Sequence, residues 1–176
     1  KVYEENPEGR KIEKAAEVLQ NDGVIVYPTD GVYAFGCAID SQAAIEKICR
    51  LRGIKPKEAN LTFICQDISQ LSEYTPQLEN RIFKILKRHL PGPFTFILPA
   101  GNHVPKMFKN RKKTIGARIP QNKIALDLIR ACGRPLLSMS LKSEDDIREY
   151  YTDPEVIYEN FKKEVDIVID GGPGDN

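Results

Sequence analysis

Apolar positions recur in two rhythms along the chain. Ile12, Ala15, Ala16 and Leu19 stand at i, i+3, i+4 and i+7, which predicts a helix over Gly9–Gln20, stopped by Asn21, Asp22 and Gly23. The same spacing at Ala44, Ile45, Ile48 and Leu51 predicts a second helix, capped by Ser41, with those four side chains inward. Further helices are expected at residues 68–74, 78–90, 123–132 and 154–163. Between them lie apolar runs of strand length, at residues 24–27, 32–37, 61–65, 94–98, 114–119, 135–140 and 165–169. Strands alternating with helices argue an α/β layered domain. No internal repeat interrupts the order, and the polar stretch 142–151 is too short to divide it.

Length and composition narrow the class. At 176 residues and 41% hydrophobic content, one domain is the default and a core needs no disulfide staples. No apolar run approaches the roughly 18 residues of a membrane span, and residues 1–10 are too polar to read as a signal peptide. The four cysteines, Cys37, Cys49, Cys65 and Cys132, form no CxxC pair. They are expected to be free thiols in a reducing, cytoplasmic setting. Two histidines far from any cysteine pair make a structural zinc site an unpromising expectation, and no GxSxG elbow supports a hydrolase triad.

Charge adds a spatial question. The net charge is +1, yet Asn80 to Leu126 carries eleven Lys and Arg and no acid, whereas Glu144 to Asn176 carries eleven acids against three bases. The basic stretch is either a solvated helix face with a lysine-rich loop or a phosphate-attracting surface for a nucleotide or RNA, with Lys109, Arg111, Lys112 and Lys113 at its densest point.

Neither GxxxxGK[ST] nor GxGxxG is present, so phosphates would have to be held by Arg, Lys and backbone amides. Four segments are candidates. Tyr27-Pro28-Thr29-Asp30-Gly31 is an ordinary turn or a turn presenting a hydroxyl and a carboxylate. Arg50 and Arg52, followed by Lys55, Lys57 and Asn60, complement a helix C-terminus or clamp a polyphosphate. Arg118 interrupts an apolar strand, so it meets an internal carboxylate, a ligand anion or the surface, because burying it unpaired is costly. Ser138 and Ser140 share one strand face near its end, where α/β sheets often bind ligands and where strand-end capping is the plainer account.

In this order, YPTDxxYxxG (27–36), PGPxTxIL (91–98), the xGxRxP strand (115–120) and the strand at 135–142 resemble the YrdC/YciO family over about residues 10–172. The wording at residues 48–52 and 112–116 is closer to the YciO branch. The resemblance implies a single domain over 1–176, with a twisted, open mixed sheet, flanking helices and a basic concave cavity. It implies threonylcarbamoyl-AMP synthase activity, from L-threonine, bicarbonate and ATP, with Mg2+ arriving on the ATP. By position it assigns Arg50, Arg52, Asn60, Thr114, Ser140 and Lys142 to the nucleotide, and Gly31 and Arg118 to threonine.

The chain departs from the family pattern in places. Arg50 stands for a lysine, Gly31 for a threonine, Lys142 for an asparagine and Cys65 for a common histidine. The sequence given also stops before a Ser-Thr-Val segment usual in the family. Two readings therefore stand at this stage: a synthase, weakened at Gly31 and Lys142, or a non-catalytic module that binds a nucleotide or double-stranded RNA.

Overall fold

The computed structural model describes residues 1–2, 5–105, 113–141 and 150–174. The strands are β1 (Ile25–Pro28), β2 (Tyr33–Ala38), β3 (Thr62–Ile64), β4 (Phe96–Pro99), β5 (Thr114–Arg118), β6 (Leu136–Ser140) and β7 (Ile167–Val168). The helices are α1 (Gly9–Gln20), α2 (Gln42–Leu51), α3 (Ile68–Ser72), α4 (Asn80–His89), α5 (Lys123–Cys132) and α6 (Pro154–Phe161). The strands form one seven-stranded sheet in the order β4-β5-β3-β6-β2-β1-β7. It is open and mixed: β3 with β5 and β1 with β7 run parallel, and the other pairs are antiparallel.

Local chemistry accounts for the helix ends. Ser41 Oγ accepts from the Ala44 amide at 3.2 Å, the N-cap expected from the sequence. Asn122 Oδ1 does the same for the Ala125 amide of α5 at 3.0 Å, and Gly133 at φ +76° ends that helix in the left-handed region. Asp153 caps α6, with Pro154 in the first turn.

Period-two alternation sorts side chains onto the two faces of the sheet. Val26, Tyr33, Phe35, Phe63, Ala117 and Leu137 join one buried cluster, covered by Ile45 and Ile48 of α2, Leu71 of α3, Leu86 of α4 and Ile157 of α6. Their strand neighbours Ile25, Tyr27, Ala34, Ala38, Ile64 and Leu136 join a second cluster with Ile12, Ala15 and Leu19 of α1 and Ile124, Leu128 and Ile129 of α5. Thus α1 and α5 roof the second face over β1 and β2. The same face of β3, β4 and β5 contributes Thr62, Ile97, Thr114, Gly116 and Arg118, none of them fully buried.

Several expectations shift. In α2, Cys49 is buried and Leu51 only half-buried, because the helix ends there and Leu51 has no turn above it. The strand expected at 94–98 starts at Phe96; Phe94 is exposed beyond Pro91-Gly92-Pro93, and Gly92 donates to Ile119 O instead. The loop expected at 52–60 contains a short 3-10 turn at Pro56–Glu58, begun by proline. The strand expected at 165–169 pairs as a ladder over Ile167–Val168 only. All four cysteines are free and buried.

Two tyrosines pin the strands that frame the open half of the sheet. Tyr27 is fully buried and its hydroxyl donates to Ser138 Oγ at 3.0 Å. It reaches there across Gly36, where a Cβ would stand 2.7 Å from the Tyr27 ring. Tyr33 donates to Gly172 O at 2.6 Å and accepts from the Gly171 amide at 3.0 Å, tying down the C-terminal segment. Burial pushes both phenols up from 10 to about 12, and pushes the Cys65 thiol up from 9 to about 12. Burial likewise raises Cys37.

Each of these groups is held neutral in the fold and ionises earlier once unfolded. The unfolded chain therefore loses protons first as pH rises, and stability falls. Stability is expected to be intact below about pH 9, to fall through the thiol range, and to fall further between about pH 10 and 12 as the phenols join. Tyr27→Phe removes one of the two phenols, so urea midpoints should decline less steeply from pH 10 upward than in the parent. Parallel declines in the two proteins would show that Tyr27 is not held neutral by its burial.

Candidate functional site

The unroofed half of the second sheet face forms a trough of three adjoining cavities. The first, of about 330 Å3, lies over Gly116 between Asn60, Thr62, Thr95, Ile97 and Thr114. The second, of about 120 Å3, shares Asn60, Thr62 and Thr95 and adds Thr29, Arg118, Ser138 and Ser140. The third, of about 340 Å3, shares Thr29 and runs past Asp30, Gly31, Gln121 and Asn122 to Gly171–Gly174.

Strand register builds this floor. Thr62 of β3 is the partner of Gly116 on β5 and of Ser138 on β6, and Ser138 in turn pairs with Gly36 of β2. One row across four strands therefore carries Gly116, Thr62, Ser138 and Gly36. Small side chains there leave the depression, and hydroxyls make it polar. A Cβ on Gly116 would stand 3.2 Å from Thr95 Cγ2, so the glycine keeps the floor low beneath Thr95 and Ile97.

Arg118 ends β5 at the wall of the middle cavity. Its Nη2 donates to Asp30 Oδ1, and the two side chains are 21% and 11% exposed. The second oxygen of Asp30 accepts from the Gln121 amide at 3.2 Å. Thr29 Oγ1 closes the same turn by donating to Val32 O at 2.7 Å. The sequence left Arg118 between an internal carboxylate and a ligand; the internal partner exists, and it is the turn's own acid. The pair is mostly buried, so removing Asp30 alone would leave an uncompensated guanidinium, the expensive case. Arg118 Nε is buried with no hydrogen-bond partner among the described residues. A guanidinium has five donors, and Asp30 does not saturate them.

The structure brings Asn60, Thr114, Arg118 and Ser140 together around the trough, with Gly31 at its far end. A Cβ on Gly31 would meet nothing within 4 Å. Arg50, exposed in the last turn of α2, and Arg52, its half-buried C-cap, are not among the lining residues. Lys113 is exposed at the start of β5, with φ +49°. Lys109, Arg111, Lys112 and Lys142 lie outside the described residues. Thr62 and Thr95 were not singled out in the sequence, and Asp30 and Ser138 stood in candidate segments without being assigned to a substrate. Thr62 had a signal, a hydroxyl within an apolar strand, and so did Ser138, on the same strand face as Ser140. Among the described residues no group of three or more His, Cys, Asp and Glu is placed to hold a metal, and no helix is long and apolar enough to cross a membrane.

The Sua5_yciO_yrdC family model, described as "Telomere recombination", matches residues 17–176. YciO of Escherichia coli (strain K12) is 42% identical over 173 residues, spanning 97% of this chain and 82% of the relative. The crystal structure of E. coli YciO superposes with a TM-score of 0.88 at 40% identity, over 98% of this chain and 85% of that one. The threonylcarbamoyl-AMP synthase of Nitrosococcus oceani is 35% identical over 130 residues, 74% of this chain and 70% of the synthase. P. abyssi Sua5 complexed with L-threonine superposes with a TM-score of 0.86 at 26% identity, over 98% of this chain and 50% of that one. With the sheet, the trough and these matches in agreement, the chain belongs to the Sua5/YciO/YrdC family, whose fold it shares with the threonylcarbamoyl-AMP synthases.

Proposed function

We propose that the trough binds L-threonine and ATP and joins them, with bicarbonate, into threonylcarbamoyl-AMP. The observation that carries the reading is Arg118: a mostly buried guanidinium, oriented by Asp30, on the wall of a hydroxyl-lined cavity of amino-acid size. Its forked, permanently charged donors suit a carboxylate. The 35% identity to a synthase and the fold shared with a threonine-bound Sua5 support the same substrates.

In this reading the threonine amine adds to the carbon of bicarbonate, giving a carbamate and water. A carbamate oxygen then forms a bond to the α-phosphorus of ATP as the bond to pyrophosphate breaks. Such a displacement needs alignment and charge neutralisation more than a protein nucleophile. Arg118 holds the carboxylate, and Gly31 borders the amino-acid end. Asn60, Thr114 and Ser140 hold the nucleotide, with Lys142, two residues beyond Ser140, assigned to its phosphates. Arg50 and Arg52, at the end of α2, are assigned to the ATP phosphates, where forked guanidinium donors suit charge-assisted bonds. Hydroxyls, with Asp30 already engaged, fit a Mg2+ that arrives on the phosphates and keeps most of its waters. When bound, it would spread the charge of the departing pyrophosphate.

Isothermal titration with each substrate, followed by threonine- and bicarbonate-dependent pyrophosphate release, tests the reading. Arg118→Lys keeps the charge and loses the fork. It should weaken L-threonine binding tenfold or more while changing ATP affinity far less. Equal L-threonine affinity in the two proteins would remove Arg118 from the carboxylate.

Gly31→Thr has open space and an unstrained backbone, so it should fold normally. It restores a hydroxyl at the amino-acid end and should raise threonine-dependent pyrophosphate release several-fold. A lower rate at an unchanged melting temperature would place Gly31 outside the productive pocket.

The basic stretch favours a second reading, binding of double-stranded RNA. Arg81, Lys84, Lys87 and Arg88 of α4 are all exposed, beside exposed Phe83. If phosphates are contacted, log affinity falls linearly with log salt, by about 0.9 per phosphate neutralised on a duplex. Replacing Lys109, Arg111, Lys112 and Lys113 by Ala should weaken all duplex sequences alike and flatten that slope. No RNA binding at low salt, or a slope unchanged in the variant, overturns this reading.

A further inference from the structure

The helical layer on the far side of the sheet from the trough is unevenly packed. α2 buries Ala44, Ile45, Ile48 and Cys49 against the strands. Among the described residues, α4 fully buries only Leu86, and α6 only Ile157. The flanks of these two helices carry large apolar side chains into solvent. Phe83 and Ile85 of α4 are each 40% exposed, and Val156 and Tyr158 of α6 are 46% and 51% exposed. Apolar side chains on both sides of a single buried one suit a second neighbour, and a charged border around them is the usual setting of a protein interface.

The two helices have opposite charge. α4 carries Arg81, Lys84, Lys87 and Arg88 and no acid, whereas α6 carries Glu155 and Glu159 and no base, behind the acidic cap Asp153. Two lysines follow α6, and Lys162 pairs with Glu159 in an exposed i,i+3 contact, which holds Glu159 only weakly. Lys87 lies over the Phe83 ring, 5.9 Å from its centre, so a cation already stands at the edge of the apolar patch.

α4 and α6 stand at opposite ends of the layer. Gly92, just after α4, donates to Ile119 O beyond the end of β5, while α6 packs on β7 at the other sheet edge. Seven strands about 4.8 Å apart span roughly 29 Å, so α4 and α6 of one molecule cannot meet. A two-fold rotation brings them together. When two copies face each other through their helical layers, with the axis between them along the strand direction, α4 of each lies against α6 of the other. Both contacts then set basic against acidic side chains around an apolar centre. α2, which packs on β2 between the two, offers the axis exposed Glu46 and a partly exposed Lys47, charges of both signs. Such an interface closes on itself and leaves both troughs facing outward.

We infer that the helical face is the interface of a symmetric homodimer, in which α4 of each copy docks on α6 of the other. The inference is independent of what the trough binds. A duplex RNA would take up the charge of α4, but the acids of α6 would repel it and Val156 and Tyr158 would stay in water. A second copy satisfies both helices.

Sedimentation of the parent protein and of two charge swaps, Lys84→Glu with Lys87→Glu and Glu155→Lys with Glu159→Lys, tests the pairing. The parent should show a monomer–dimer equilibrium whose dissociation constant rises about tenfold from roughly 0.05 to 0.5 M salt. Either swap alone sets like charges against each other in both contacts and should weaken the dimer by about tenfold or more. Mixing the two swapped proteins restores opposite charges at both contacts, so a mixed dimer should form about as tightly as the parent's. That recovery also shows that both swapped proteins are folded. A parent that stays monomeric at low salt, swaps that leave the dimer unchanged, swapped proteins that melt with the parent yet do not pair, or oligomers that keep growing past the dimer each overturn the inference. Duplex RNA bound through α4 by a protein that remains monomeric overturns it as well, and assigns that helix to RNA.

Discussion

Everything in this molecule depends on how period-two alternation divides large from small side chains on the four middle strands of the sheet. One face receives Tyr33, Phe35, Phe63, Ile115 and Leu137, and four helices close over them. The other receives Ala34, Gly36, Thr62, Gly116 and Ser138 along the same strands. A slip of one residue in β3 or β6 would turn Phe63 or Leu137 into the trough and drive Thr62 or Ser138 into an aliphatic core. The register is thus enforced by burial on one face, and the binding surface on the other inherits its geometry. α1 and α5 pack together over the β1 and β2 end of that surface, which leaves the rest open.

The trough is then held at its edges by contacts between distant parts of the chain. Arg118 and Asp30, 88 residues apart, join the end of β5 to the turn after β1. The pair is nearly neutral as a unit, so it shapes the wall without filling it with unbalanced charge. Tyr33 holds the C-terminal glycines on the opposite rim, and Gly174 donates to Thr152 O from the same segment. Tyr27 sets Ser138 from behind. Tyr27, Asp30 and Tyr33 each reach a partner more than 80 residues away. The YPTD segment is therefore structural and functional at once: its tyrosine orders the floor, its threonine closes the turn, and its aspartate aims the arginine.

Much of this was legible in the residues. Helical spacing located α1, α2 and α5, and Ser41 marked an end that local hydrogen bonding then realised. Apolar runs located every strand. Their limits moved where an end lost its partner, as at Phe94, or where pairing covered only part of the run, as at Val165 and Ile169. Asn60, Thr114, Arg118 and Ser140 were legible as a set only through the family resemblance, because as single residues each had an ordinary structural account. Thr62, Thr95 and Ser138 were harder to find. A hydroxyl in a half-buried strand says only that one face is polar, and the role comes from what stands beside it.

The sequence by itself determined which segments become strands and helices, which side of each strand is apolar, and that Arg118 must reach an anion or the surface, since these follow from local spacing and from the cost of burying a charge. Only the tertiary structure decided that the anion within the protein is Asp30, that Thr62 stands beside Gly116 and Ser138 on the trough floor, and that Ser138 donates to Phe35 O. Strand order and register bring these groups together from distant parts of the chain. Strand order and register arise from packing the whole sheet at once, which no local pattern of residues encodes.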